Sequence, residues 1–143
     1  MRNKLKWSSL YNVGINQIDS QHRLLFSLGD KILAIRNPDE HTEEVISLVK
    51  NLLTNMSVHF RTEDALFVKF KFPFKDSHIQ HHRRILEEII DMVKNKKSME
   101  LLINDLYSYL QKWLIDHMLE DDKAFAKWAS SKEGRENSTT QFF

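Results

Sequence analysis

The stretch VISLVKNLLTNMSVHFRTEDALF, Val45 to Phe67, decides the fold. Val45, Val49, Leu52, Leu53, Met56, His59, Phe60 and Glu63 recur at spacings of three and four, which is the pattern of one helix burying one stripe. His59 and Glu63 thus continue an apolar face, and two polar groups in a core helix demand a chemical reason. Working outward, Asn37-Pro38 interrupts the chain upstream, since a proline disfavours helical geometry in the residue before it. KFKFPFKDS around Pro73 interrupts it downstream.

Three more helical blocks surround this one. The first is expected to begin near Asp19 and run through SQHRLLFSLGDKILAIR to the Asn37-Pro38 break, with Ile18, His22, Leu25 and Ile32 on its inner face. The third carries His78, His82, Ile85, Ile89 and Val93 in one register and closes with NKKS. In the fourth, capped by Ser98, the inner side holds Leu106, Leu110, Trp113, Leu114, His117 and Met118. Residues 1–18 read as an arm whose Trp7 and Tyr11 cover one end of the core. Residues 130–143, SSKEGRENSTTQFF, read as a mobile polar tail. The fold expected is all-α: an antiparallel up-down four-helix bundle spanning residues 1–129 with its N-terminal arm, a class that builds its sites from side chains on facing helices.

Composition narrows the function classes. Of 143 residues, 41% are hydrophobic and 29% charged, which suits one domain with a sizeable core. Three glycines and two prolines are too few for a strand-and-turn protein. The net charge is +1 with acidic and basic residues interspersed, so no nucleic-acid patch stands out, and no stretch suggests a signal peptide or membrane insertion. A cytoplasmic, monomeric protein is the default expectation. Cysteine is absent, so any metal must be held by nitrogen and oxygen.

Residues four apart on a helix turn through about 400°, so His59 with Glu63 and His78 with His82 form two chelating pairs. His22 and His117 add one inward nitrogen each from the first and fourth helices. A lone histidine on an apolar stripe is more often a hydrogen-bonded core residue than a ligand. Five histidines and a carboxylate converging on one core differ, because each polar group buried without a partner costs roughly 2–7 kcal/mol. A metal cluster removes that difficulty. His41 and His81 lie off these faces and read as surface residues. The fourth helix leaves an ambiguity: regular geometry favours Asp121, four residues after His117, while Asp122 at five lies about 140° round. Spacing does not choose between them.

The stretches W…YNVGINQIDSQHRLL, HFRTEDALF, FPFKDSHIQHH and WLIDHMLEDDKAF together resemble a bacterial hemerythrin along nearly the whole chain. The resemblance implies two non-haem irons, one held by His78, His82 and His117 and the other by His22 and His59. Glu63 and Asp122, rather than Asp121, would bridge them beside an oxo or hydroxo group. It implies reversible binding of dioxygen, with no catalytic residue, in a pocket walled by Leu25, Phe60, Trp113 and Leu114, and an oxygen-accepting partner is compatible with it. Asp19 is a candidate acceptor for the free ring N–H of His22, or else a helix cap. Departures from the family pattern are Asp64, where glutamate is frequent, and Lys71-Phe72-Pro73; neither is expected to touch a ligand. The alternatives are a sensor module using the same site, and a di-iron oxidase or peroxidase. The latter is disfavoured because no glutamate stands three residues before any histidine.

Overall fold

The computed structural model describes residues 7–131 and 134–135, and of residues 114, 115, 118 and 119 the backbone alone. Among these the chain is all-helical, with five α-helices and no strand: α1 Asn16–Leu33, α2 Thr42–Lys69, α3 Lys75–Lys94, α4 Met99–Asp116 and α5 Lys123–Ser130. Between α4 and α5, His117–Asp122 form a π-helical segment. The backbone stays in the right-handed helical region at Asp116, Asp122 and Lys123, so α4, the π segment and α5 make one continuous rod. The first helix packs on the second, the second on the third, the third on the fourth, and the fourth returns to the first, which closes a helical bundle. Among the described residues no helix is long and apolar enough to cross a membrane.

Helix α1 differs from expectation at both ends. It begins three residues before Asp19, because the Asp19 carboxylate is used to tie down the arm: it accepts from the Val13 N–H at 2.8 Å and the Gly14 N–H at 3.2 Å. Gly14 has φ +92°, a conformation that side-chain-bearing residues rarely adopt. The helix ends at Leu33, four residues short of Asn37, and the chain reverses through Asn37 at φ +52° into a 3-10 turn, Pro38–Glu40. Asparagine is one of the few residues that tolerate this left-handed geometry. The turn has a second use, for Asp39 Oδ1 accepts from the Met99 N–H at 2.7 Å and so caps α4 from 60 positions away. Ser98 caps the same end locally through the Leu101 N–H, as its position predicts.

The core falls into two apolar clusters with a polar layer between them. One runs from Leu25, Phe26, Val49, Met56 and Phe60 to Ile85, Leu106 and Trp113; the other holds Ile15, Ile18, Leu66, Phe67, Phe70, Phe72, Phe125 and Ala129. Each fully buried Leu, Ile or Phe contributes about 1.5–3 kcal/mol. The helices cross the layer in alternating order. Along α1 and α3 the Phe67 cluster comes first and the Met56 cluster last; along α2 and the α4–α5 rod the order is reversed. Trp7 and Tyr11 of the arm pack on Phe26 with ring centroids 5.4 and 5.5 Å away, covering that face as expected. Residues 1–6, and of the tail residues 132–133 and 136–143, lie outside the described residues.

Candidate metal centre

Each rod contributes to the layer between the clusters where its apolar stripe is interrupted. His22 comes from α1, His59 and Glu63 from α2, His82 from α3, and His117 and Asp122 from the two ends of the π segment. All six are buried, and five of them are at 0% exposure. The π segment resolves the ambiguity between Asp121 and Asp122. An i→i+5 hydrogen-bond repeat places residues five apart about one turn apart, so Asp122 falls in line with His117 while Asp121 rotates outward to partial exposure. No pattern of residue types marks such a turn.

Ligand atoms of His22, His59, Glu63, His117 and Asp122 all lie within 4.8 Å of one another. Glu63 Oε1 is 3.0 Å from His59 Nε2, 3.0 Å from His117 Nε2 and 3.4 Å from His82 Nε2. Asp122 is 2.7 Å from His22 Nε2 and 2.9 Å from His117 Nε2, yet neither of its oxygens is in hydrogen-bond geometry. Glu63 Oε2 and His82 Nε2 are also buried without a partner. Atoms this close and this poorly paired point at a common space rather than at one another. Four buried orphans at roughly 2–7 kcal/mol each would offset much of the adjoining apolar packing, whereas a bound cation would use all of them. The donor set of imidazole and carboxylate, with no thiolate, suits iron or another first-row metal.

His78 stands apart from this set. It is half-buried, its ring edge-on to Phe67 and Phe72 at 5.5 and 5.2 Å, and it is not among the ligand atoms that lie within 4.8 Å of one another. Burial lowers its pKa, with Asp121 working against that. His41 is exposed, as expected. His81 is not a plain surface residue: it is partly buried, with its ring 6.5 Å from that of His117.

Two of the buried histidines have their outer nitrogen engaged. His59 Nδ1 donates to Gln21 Oε1 at 2.8 Å, and Gln21 in turn donates to Thr62. An amide oxygen only accepts, so the proton sits on Nδ1 and the lone pair on Nε2 faces the core. His82 Nδ1 donates to Asp64 Oδ1, also at 2.8 Å. Asp64, expected to touch no ligand, therefore orients one, and Phe72 of Lys71-Phe72-Pro73 likewise packs on His78. The first contact joins α2 to α3 and the second joins the turn between them to α3, which is why neither is visible in the spacing. Asp19 is neither an acceptor for His22 nor a cap residue, being committed to Val13 and Gly14; His22 Nδ1 and His117 Nδ1 have no partner.

The electrostatics favour positive charge at the centre. Burial alone would raise the Glu63 pKa, but His59 and His117 beside it outweigh that and hold it well below the ordinary carboxylate value. Burial alone would lower the His117 pKa, and Asp122 and Glu63 reverse this, raising it well above the usual value. At His59 burial outweighs the neighbouring Glu63, so its pKa is lowered, which favours the neutral form that ligates a metal. A field that attracts a proton to His117 attracts a metal cation as well.

Beside this layer Phe60 stacks on His82 with centroids 4.2 Å apart, and Trp113 stacks on His117 at 5.2 Å with its edge to Phe60. Leu25 is buried one turn along α1 from His22. The side chain of Leu114, and that of Met118, lies outside the described residues.

The family model described as the Hemerythrin HHE cation binding domain matches residues 13–129. Similar proteins include a bacteriohemerythrin of Campylobacter jejuni, 24% identical over 116 residues that cover 80% of this chain and 87% of that protein. A hemerythrin-like protein of Naegleria gruberi is 27% identical over 119 residues, covering 83% and 88%. A bacteriohemerythrin of Stenotrophomonas maltophilia is 25% identical over 122 residues, covering 85% and 79%.

Proposed function

The chain belongs to the hemerythrin family, and from that premise we propose that it binds dioxygen reversibly at a pair of non-haem irons. The observation that carries this is the convergence of buried, mutually unsatisfied histidine and carboxylate atoms from all the rods on one small space. The alternating order of the clusters supports an antiparallel up-down arrangement of four rods, with the site midway along them.

His22 and His59 would hold one ion, and His78, His82 and His117 the other. Glu63 lies within 3.4 Å of His82 on one side and 3.0 Å of His59 on the other; Asp122 touches His117 and His22. Each carboxylate therefore reaches histidines of both sets, the position a bridge requires. Two irons, when bound, supply the electrons that dioxygen binding draws on and recover them on release. The protein's part is to orient and to exclude water. Gln21 and Asp64 hold two rings with Nε2 inward, while Phe60, Trp113 and Leu25 keep the space beside them apolar.

Six octahedral positions cannot use seven protein ligands, so anaerobic loading with ferrous iron followed by iron analysis should give two irons per chain. One iron per chain, or none, would sink the reading. Asp64 offers a finer check. Its carboxylate both fixes the His82 tautomer and increases the ring's donor strength, so Asp64→Ala should weaken metal binding by about ten- to a hundred-fold in chelator competition. An unchanged competition curve would mean that the Asp64–His82 contact is incidental.

A further inference from the structure

Outside the buried layer, the structure places one more group of ligating atoms together. His81 Nε2 lies 3.9 Å from Asp121 Oδ2, and the same oxygen lies 3.9 Å from His117 Nδ1. The three atoms fall within 4.8 Å of one another. These separations are too long for hydrogen bonds, which end near 3.2 Å for N–H···O. They suit a shared cation: with metal–ligand bonds of about 2.0–2.2 Å, two ligand atoms of one ion stand roughly 3–4 Å apart. His117 Nδ1 supplies the independent sign, for it is a fully buried ring nitrogen with no partner, on a residue that is 0% exposed and otherwise turned to Glu63 and Asp122. His81 and Asp121, with side chains 42% and 32% exposed, form the solvent side of the group.

We propose that His81, Asp121 and the outer nitrogen of His117 form a second cation site, where a divalent transition metal is captured at the rim before it passes to the buried layer. This rests on the metal-centre reading above and adds a route to it. His117 is the shared element: it presents Nδ1 to the rim and Nε2 to Glu63 and Asp122, so an ion at the rim is already one imidazole away from the buried carboxylates. Residence there is brief for two reasons. The rim has one carboxylate against two in the layer below, and Arg84, one turn along α3, sets a positive charge near His81. Once the inner nitrogen of His117 holds a metal, the outer one carries its proton and the rim reverts to an ordinary acceptor, Asp121, facing that N–H.

The pattern was present in the chain as His117 and Asp121 at i and i+4, with His81 next to a ligand. What the sequence does not reveal is that a residue of α3 and one of the π segment meet. The test is rapid mixing of metal-free protein with Co²⁺, whose visible absorption reports its ligands, followed by cobalt analysis after dialysis. In the unmodified chain a concentration-dependent phase should precede a slower, concentration-independent one. In His81→Ala and Asp121→Asn the first phase should vanish and loading should slow about ten-fold, with final cobalt content unchanged. His41→Ala should load like the unmodified chain. Identical kinetics in all four proteins, or loss of final cobalt content in His81→Ala, would overturn the proposal. A first phase that depends on His81 but leads to no retained cobalt would keep the rim site and remove the buried one.

Discussion

Replacing His59 or Glu63 with alanine should strip the protein of iron and lower its thermal midpoint in the same step. Both side chains are at 0% exposure in the centre of the convergent set, and Glu63 alone touches three of its histidines. Metal bound only by the folded chain stabilises it by mass action, about 2.7 kcal/mol when free metal stands a hundred-fold above its dissociation constant. For a domain of this size that corresponds to roughly 5–15 °C. The two variants should therefore melt in the presence of iron where the unmodified protein melts in the presence of a chelator. Glu63→Ala is the sharper case, since removing one of two buried carboxylates also relieves an unsatisfied oxygen in the metal-free state. A variant that retains two irons, or that loses midpoint equally with and without metal, would show that these residues serve packing alone.

The second large effect concerns oxygen. The reduced, iron-loaded protein should develop an absorption band in air that disappears under inert gas and returns over several cycles, with loss of ferrous iron slower than oxygen release. The reason lies in what surrounds the site. Phe60, Trp113 and Leu25 are buried at 2%, 5% and 2% exposure. Of their side-chain atoms only the Trp113 indole N–H is polar; it is buried without a partner, and an indole N–H can donate a hydrogen bond but does not surrender its proton. Glu63 is held ionised by His59 and His117 against the effect of burial, so it is no ready acid. Asp64 is occupied by His82, and Asp121 faces outward. Cleavage of an oxygen–oxygen bond needs a proton delivered at the site; once a bound metal displaces the proton that His117 attracts, Glu63, Asp64 and Asp121 offer none in its place. Phe60→Ala should open the wall to water and speed irreversible oxidation while leaving iron content intact. A single irreversible turnover in the unmodified protein, or catalytic oxidation of added substrates, would replace oxygen binding by an oxidase function.

Much of this molecule was legible in the linear chain because helices are local objects. The spacing of Val45, Val49, Leu52, Met56, His59 and Glu63 depends only on the turn of one helix, and each helix states its own inner face in the same way. His22, His59, His82 and His117 could be assigned to those faces for the same reason, and the absence of cysteine limited the donors to nitrogen and oxygen. Tertiary structure decided whatever joins two elements or departs from regular geometry. The pairing of His82 with Asp64, of His59 with Gln21 and of Met99 with Asp39 spans 18, 38 and 60 positions, and no periodicity carries information over such separations. The ring contacts of His78 with Phe67 and Phe72, which reach it from α2 and the turn after it, are of the same kind. Asp122 is the clearest instance. In a regular helix it points away from His117; only the π turn, an irregularity that the packing of the α4–α5 rod sustains and no residue pattern announces, brings its carboxylate between His22 and His117.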